Sequence, residues 1–166
     1  LGLSLRRLEK RGYVALESNR MVLDDVIVAS ADPVEAVKSR VLVHLANRLS
    51  NADDPSKYSM YSIVGGLEAQ EVAAPPFGPF TADNNDDISD LPDDGVVINR
   101  WLADDLGLEV GGRMKMTYHL VGSHGELPEE VRTFRVHAIV DLSGPAEARG
   151  LTPHVPGITA VSTFRD

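Results

Sequence analysis

The side chains in this chain best able to bind a metal or move a proton near neutral pH are its five histidines, His44, His119, His124, His137 and His154. None of them has the His-Glu-x-x-His spacing that sets two imidazoles on one helix face. His119 and His137 fall on one polar face of a proposed hairpin, but a zinc ion there would lack a third ligand, so ordinary strand histidines are the plainer reading. Ser123-His124-Gly125-Glu126 sets a hydroxyl beside an imidazole. No Gly-x-Ser-x-Gly elbow presents that serine, and residues adjacent in sequence rarely meet as nucleophile and base. Asp83, Asn85 and Asp87 alternate like the first ligands of a calcium loop. Ile88 then stands where that loop must turn on Gly, and Asp94 closes the frame in place of a bidentate Glu. A solvated acidic loop fits better.

Glycines pose the same question in DGVVINRWLADDLGLEVGGR, residues 94–113. A phosphate loop clusters its glycines between a strand and the start of a helix, where backbone amides and the helix's positive end converge. Here Gly107 follows a short helix and Gly111-Gly112 precede a strand, so these glycines cap and turn the chain. No nucleophile, base, metal set or cofactor cradle is assigned, and the chain reads as non-catalytic. Phe77 and Phe80, held by Pro75, Pro76 and Pro79 in an exposed-looking loop, are the residues chosen for partner or ligand contact. Trp101, the sole tryptophan, reads as a core anchor.

The elements that must position these residues belong to a chain of 166 residues and 18.0 kDa, which suits one domain, or one with a small second lobe. A formal charge of −9 repels a phosphate backbone and argues against nucleic acid as a partner. With no cysteine there is no disulfide and no thiolate site. Apolar runs such as Val26-Ile-Val-Ala29 are far shorter than the ~20 residues of a membrane-spanning helix. The start at Leu1 and the end at Phe164-Arg-Asp166 read as those of a piece cut from a longer protein.

Leu1, Leu5 and Leu8 beside Arg6, Arg7, Lys10 and Arg11 predict a short basic amphipathic helix over 1–11. Strands are predicted at 13–16 and, despite Asp24-Asp25, within 22–29. Asp32-Pro-Val-Glu35 reads as a helix start, and Val34, Val37, Val41, Leu45 and Leu49 make the apolar stripe of a helix over 33–49. A loop over 50–57 leads to a strand over 58–64 that ends at Gly65-Gly66. Residues 73–94, first rich in proline and then in aspartate, form a long loop or a lobe boundary. Gly95-Val-Val-Ile98 is a strand, Asn99 caps a helix over 100–106, and Gly107 closes it. Residues 113–120 alternate, with Met114, Met116, Tyr118 and Leu120 on one face and Arg113, Lys115, Thr117 and His119 on the other. Residues 131–140 place Phe134, Val136, Ala138 and Val140 together, and the two segments form an antiparallel hairpin. The expected fold is α+β: a mixed or antiparallel sheet carrying the 113–140 hairpin, with helix 33–49 packed on it.

GVVINRWLADDLGLEVGGRMKMTYHL, followed by SHGELPEEVRTFRVHAIVDLSGPAEARGLTPHVPGIT, resembles the extracytoplasmic domain of FtsX-like ABC transporter permeases, the group that includes the MacB-type periplasmic core. Ile98-Asn99, Leu102-Ala103, Leu106-Gly107 and Gly111 match that family's strand, short helix and turn. Phe134-Arg-Val136, Ile139-Val140 and the GPA…R.L.P..PGIT tail match a subgroup, and SLRRLEKRGYVAL looks like the segment leaving the first membrane helix. The resemblance covers 1–17 and 94–160. It implies a non-catalytic domain inserted after that helix and facing the periplasm or cell exterior. A separate cytoplasmic ATPase subunit would hydrolyse ATP, and the outer domain would pass the motion to a substrate or protein partner, with a permease dimer as a further implication. Four basic residues after a membrane helix run against the positive-inside tendency, which large translocated domains escape. Two rivals stand beside this reading: a cofactor-binding barrel of double-psi type, which shares the G-V-V-I-N-x-x-L-A-x-x-L-G pattern, and a secreted hydrolase.

Overall fold

In the computed structural model, which describes residues 2–18, 23–82, 88–120, 125–147 and 151, the chain folds as α+β with a two-stranded and a five-stranded sheet. The small sheet pairs β1 (Leu3–Leu8) with β2 (Tyr13–Ser18), antiparallel across a left-handed Gly12. Where a helix was expected over 1–11, Leu3–Leu8 is therefore a strand and Glu9–Arg11 a single 3-10 turn. So short a helix does not repay its nucleation, whereas the hairpin gains a ladder and an Arg6–Glu17 ion pair. Leu5, placed on the apolar stripe of that helix, is 74% exposed.

The next two elements also reverse the expectation. Residues expected as a strand within 22–29 enter helix α1 (Asp25–Ala31), and Asp32, expected to start a helix, ends this one. The helix expected over 33–49 does not form. Its C-terminal part is strand β3 (Val41–Asn51), and Val34 and Val37 are exposed. The apolar spacing misled for a physical reason: Val41, Leu45 and Leu49 stand four apart, an interval that fits the even period of a strand as well as a helical turn. A bulge at Asn47, between Ala46 and Arg48, then returns Ala46 and Leu49 to one face, three positions apart, and leaves Leu45 on the other.

Strand β4 (Tyr58–Leu67) runs through Gly65-Gly66, which pair with Val43 and Leu42 instead of ending it. Strand β5 (Gly95–Asn99), helix α2 (Arg100–Leu106), β6 (Arg113–His119) and β7 (Glu129–Val140) fall where the sequence places them. Asn99 caps α2 by accepting from the Leu102 amide at 2.8 Å, and Gly107 closes the helix at φ 59°. The order is β4-β3-β6-β7-β5, antiparallel except for the β5–β7 pair. The helix lying on this sheet is α2, through Leu102, Ala103 and Leu106.

Each face of the sheet buries its own cluster. On the first, α2 packs over Ala46, Leu49, Ile98, Met114, Met116, Val136 and Ile139. On the second, Val72, Ala82 and Ile88 cover Ala138 and Val140 at the end of β7. A second bulge, at His137, separates Val136 from Ala138 and sends Ala138 and Val140 to the face opposite Phe134 and Val136. The single apolar face expected over 131–140 is thus divided between two clusters. Trp101, expected in the core, is 64% exposed, because the side of α2 turned to the sheet carries Leu102, Ala103 and Leu106.

Candidate functional site

Beyond the second cluster, the same sheet face is open across β4, β3, β6 and β7. Opposed residues of neighbouring strands share a face, so the register composes this surface. Arg113 lies opposite Arg135, Lys115 opposite Thr133, and Thr117 opposite Val131. Ser50 lies opposite both Lys115 and Tyr58, and Arg48 opposite Thr117 and Met60. Arg48, Arg113, Lys115 and Arg135 therefore bring four cations from three strands to one surface of an acidic chain. Arg113, Lys115, Arg135, Tyr58, Met60 and Val131 are all exposed.

Local contacts hold part of this surface in place. The Arg48 guanidinium sits 4.1 Å from the centre of the Tyr58 ring, and its Nη2 donates to the Pro55 carbonyl at 2.8 Å. Its Nε is buried without a hydrogen-bond partner. Arg113 pairs with Asp53, while neither Lys115 nor Arg135 makes an ion pair with a described residue. At the end of β3, on the opposite face that α2 covers, buried Asn51 joins three elements. Its Nδ2 donates to the Leu106 and Gly107 carbonyls at 3.1 and 3.4 Å, and its Oδ1 accepts from the Asp53 and Asp54 amides at 2.9 and 3.2 Å. The Ser56 hydroxyl donates to Asp54 at 2.6 Å, and that bond is the main reason the Asp54 carboxyl lies below its ordinary pKa.

The candidate residues read from the sequence scatter over the fold. His119 lies opposite Glu129, while His137 is eight positions further along β7. At about 3.3 Å per residue the two stand roughly 26 Å apart, far beyond any shared zinc ion. His44 packs its ring edge-on to Tyr118 at 5.5 Å. Among the described residues no group of three or more His, Cys, Asp or Glu could hold a metal ion. Asp83, Asn85, Asp87, Ser123, His124 and His154 lie outside the described residues.

Phe77 and Phe80, chosen for partner contact, are partly buried against the second core cluster. Phe77 also meets Tyr13 of β2 edge-on at 5.2 Å, and an Arg11–Glu147 ion pair at 3.5 Å gives the same hairpin a second anchor. Burial lifts the Tyr13 phenol above its ordinary pKa, against the pull of Arg11 and Arg6. A cleft of about 410 Å³ lies where the end of β4 meets the approach to β5, bordered by Leu67, Glu68, Gln70, Ser89, Leu91 and Asp93.

Arg113, Lys115, Thr117 and His119 were legible as one face from their alternation. Arg48 was missed because the spacing of Val41, Leu45 and Leu49 fits a helix as well as a strand, and the Arg113–Arg135 opposition depends on a register that the loop between β6 and β7 conceals.

Set beside known protein families and curated proteins, the chain matches none of them. No helix among the described residues is long and apolar enough to cross a membrane.

Proposed function

We propose that the chain is a non-catalytic recognition and coupling domain of an FtsX-like ABC transporter permease, held on the outer side of the membrane. In this reading a cytoplasmic ATPase subunit supplies the motion, and the domain passes it to a substrate or protein partner. One observation carries the reading. The residues that hold the resemblance between 94 and 140 supply β5, α2, β6 and β7, and these elements provide most of the main core: Ile98, Leu102, Ala103, Leu106, Leu108, Met114, Met116, Val136 and Ile139. A body so interlocked transmits displacement as a unit, because close-packed interiors yield little to strain. The open basic face beside it is the surface offered for recognition.

The test is to read the parent gene outward and to purify its product with its neighbours. A membrane helix before Leu1, three more far downstream, and an ATPase that co-purifies are the expected result. A parent without membrane helices overturns the assignment. In the assembled complex, Gly-Ser replacement of the domain leaves basal ATP hydrolysis in place and abolishes its response to the outer partner.

A further inference from the structure

From the register of the open sheet face we infer that it binds an extended, carboxylate-rich segment of a protein partner, seated on Arg113, Lys115 and Arg135 and bordered by Arg48. The inference rests on the recognition half of the reading above and not on the transport half.

Arg113 and Arg135 are directly opposed across β6 and β7. Like charges in that position weaken a sheet, and Asp53 is the one carboxylate among the described residues paired with either arginine. Lys115, next on the same face of β6, adds a third cation without an ion-pair partner among the described residues. A surface that sustains this repulsion is complementary to several negative groups at once.

Spacing names the form of the ligand. Same-face residues of a strand stand about 6.8 Å apart, so Arg113 and Lys115 present their charges at the repeat of an extended chain. An extended peptide carries alternate side chains at that same period, and its carboxylates at alternate positions meet both cations in register. Guanidinium forks take carboxylates in bidentate pairs. Tyr58, Met60 and Val131 lie exposed on the same face and offer apolar contact to the remainder of such a segment, a feature that a free inorganic anion would not use.

Charge separates this partner from larger polyanions. Without the four cations of this face, 12 basic side chains remain against 25 acidic ones. A membrane or nucleic acid, tens of ångströms across, meets that acidic surface as well. A short segment meets the local field, because screening limits each charge to about 8 Å at physiological salt.

The experiment uses the 166-residue chain and a fluorescein-labelled hexapeptide alternating Glu and Thr, followed by fluorescence polarisation. Lys115→Glu combined with Arg135→Glu is expected to weaken binding by about tenfold or more. Arg132→Glu is the control. It sits opposite Met116, hence on the other sheet face, and changes the net charge by the same amount per site as Arg135→Glu, a residue on the same strand. Arg132→Glu is expected to leave binding within about twofold. Arg135→Glu replaces an opposed like-charge pair by an opposite-charge one, so its melting temperature is expected to hold or rise, which separates lost binding from lost folding.

Equal weakening by Arg132→Glu and Arg135→Glu overturns the proposal, as does failure of the peptide to bind. Equal competition from inorganic phosphate, preferential capture by vesicles containing anionic lipid, or self-association abolished by the same double variant would each assign the face to another occupant and overturn it as well.

Discussion

Replacing Asn51 by Asp tests how the sheet and α2 are joined, because the change keeps the shape and reverses half of the chemistry. The Asp side chain still accepts from the Asp53 and Asp54 amides, but it can no longer donate to the Leu106 and Gly107 carbonyls. Two lost bonds at about 0.5–1.5 kcal/mol each, with roughly 0.5 kcal/mol for a negative charge at the end of a helix, give about 1.5–3.5 kcal/mol at pH 7. The site is 9% exposed, so water does little to offset this. Facing two carbonyls in a buried position, the new carboxyl binds its proton more tightly in the folded chain than in the unfolded one. A group raised in this way costs stability above its folded pKa. The cost shrinks as pH falls through that value, and it is gone below the unfolded value. Urea unfolding followed by far-UV circular dichroism should show the midpoint lowered by about 1–2 M at pH 7. The gap to the unaltered chain should narrow on acidification. Asn51→Ala should show a loss of similar size whose gap does not narrow. A variant within about 0.5 kcal/mol of the unaltered chain, or an Asp penalty independent of pH, would refute this account of the junction.

Three further outcomes follow from single residues. Asn99→Ala should cost about 1 kcal/mol in urea unfolding by removing the cap on Leu102, whereas Asn99→Asp, which keeps an acceptor at the positive end of α2, should be close to neutral. Tyr61 holds φ 55°, a region that is costly for an aromatic residue, so Tyr61→Asn should raise stability by about 1 kcal/mol, measured as a higher thermal midpoint. Trp101→Ala should change stability by less than about 0.5 kcal/mol, and the fluorescence of the folded protein should peak near the wavelength of a hydrated indole.

Local chemistry determined one stretch of this protein almost residue by residue. Across 95–119, an apolar run, an Asn that caps, a seven-residue helix, a Gly in the left-handed region and a clean alternation each depend on neighbours a few positions away. Short-range signals of that kind are written in order along the chain. The tertiary structure decided what depends on partners far off in sequence. Bulges at Asn47 and His137 exist because β3 and β7 must match the strands beside them, and each changes which side chains face the core. In β3 the bulge parts Leu45 from Leu49, and in β7 it divides one apolar face into two. The open basic surface has the same origin. Alternation showed the cations of β6, but cross-strand register brought Arg135 opposite Arg113 and carried Arg48 in from a strand more than sixty residues earlier. Register is a collective property of the whole sheet, and periodicity within one segment does not contain it.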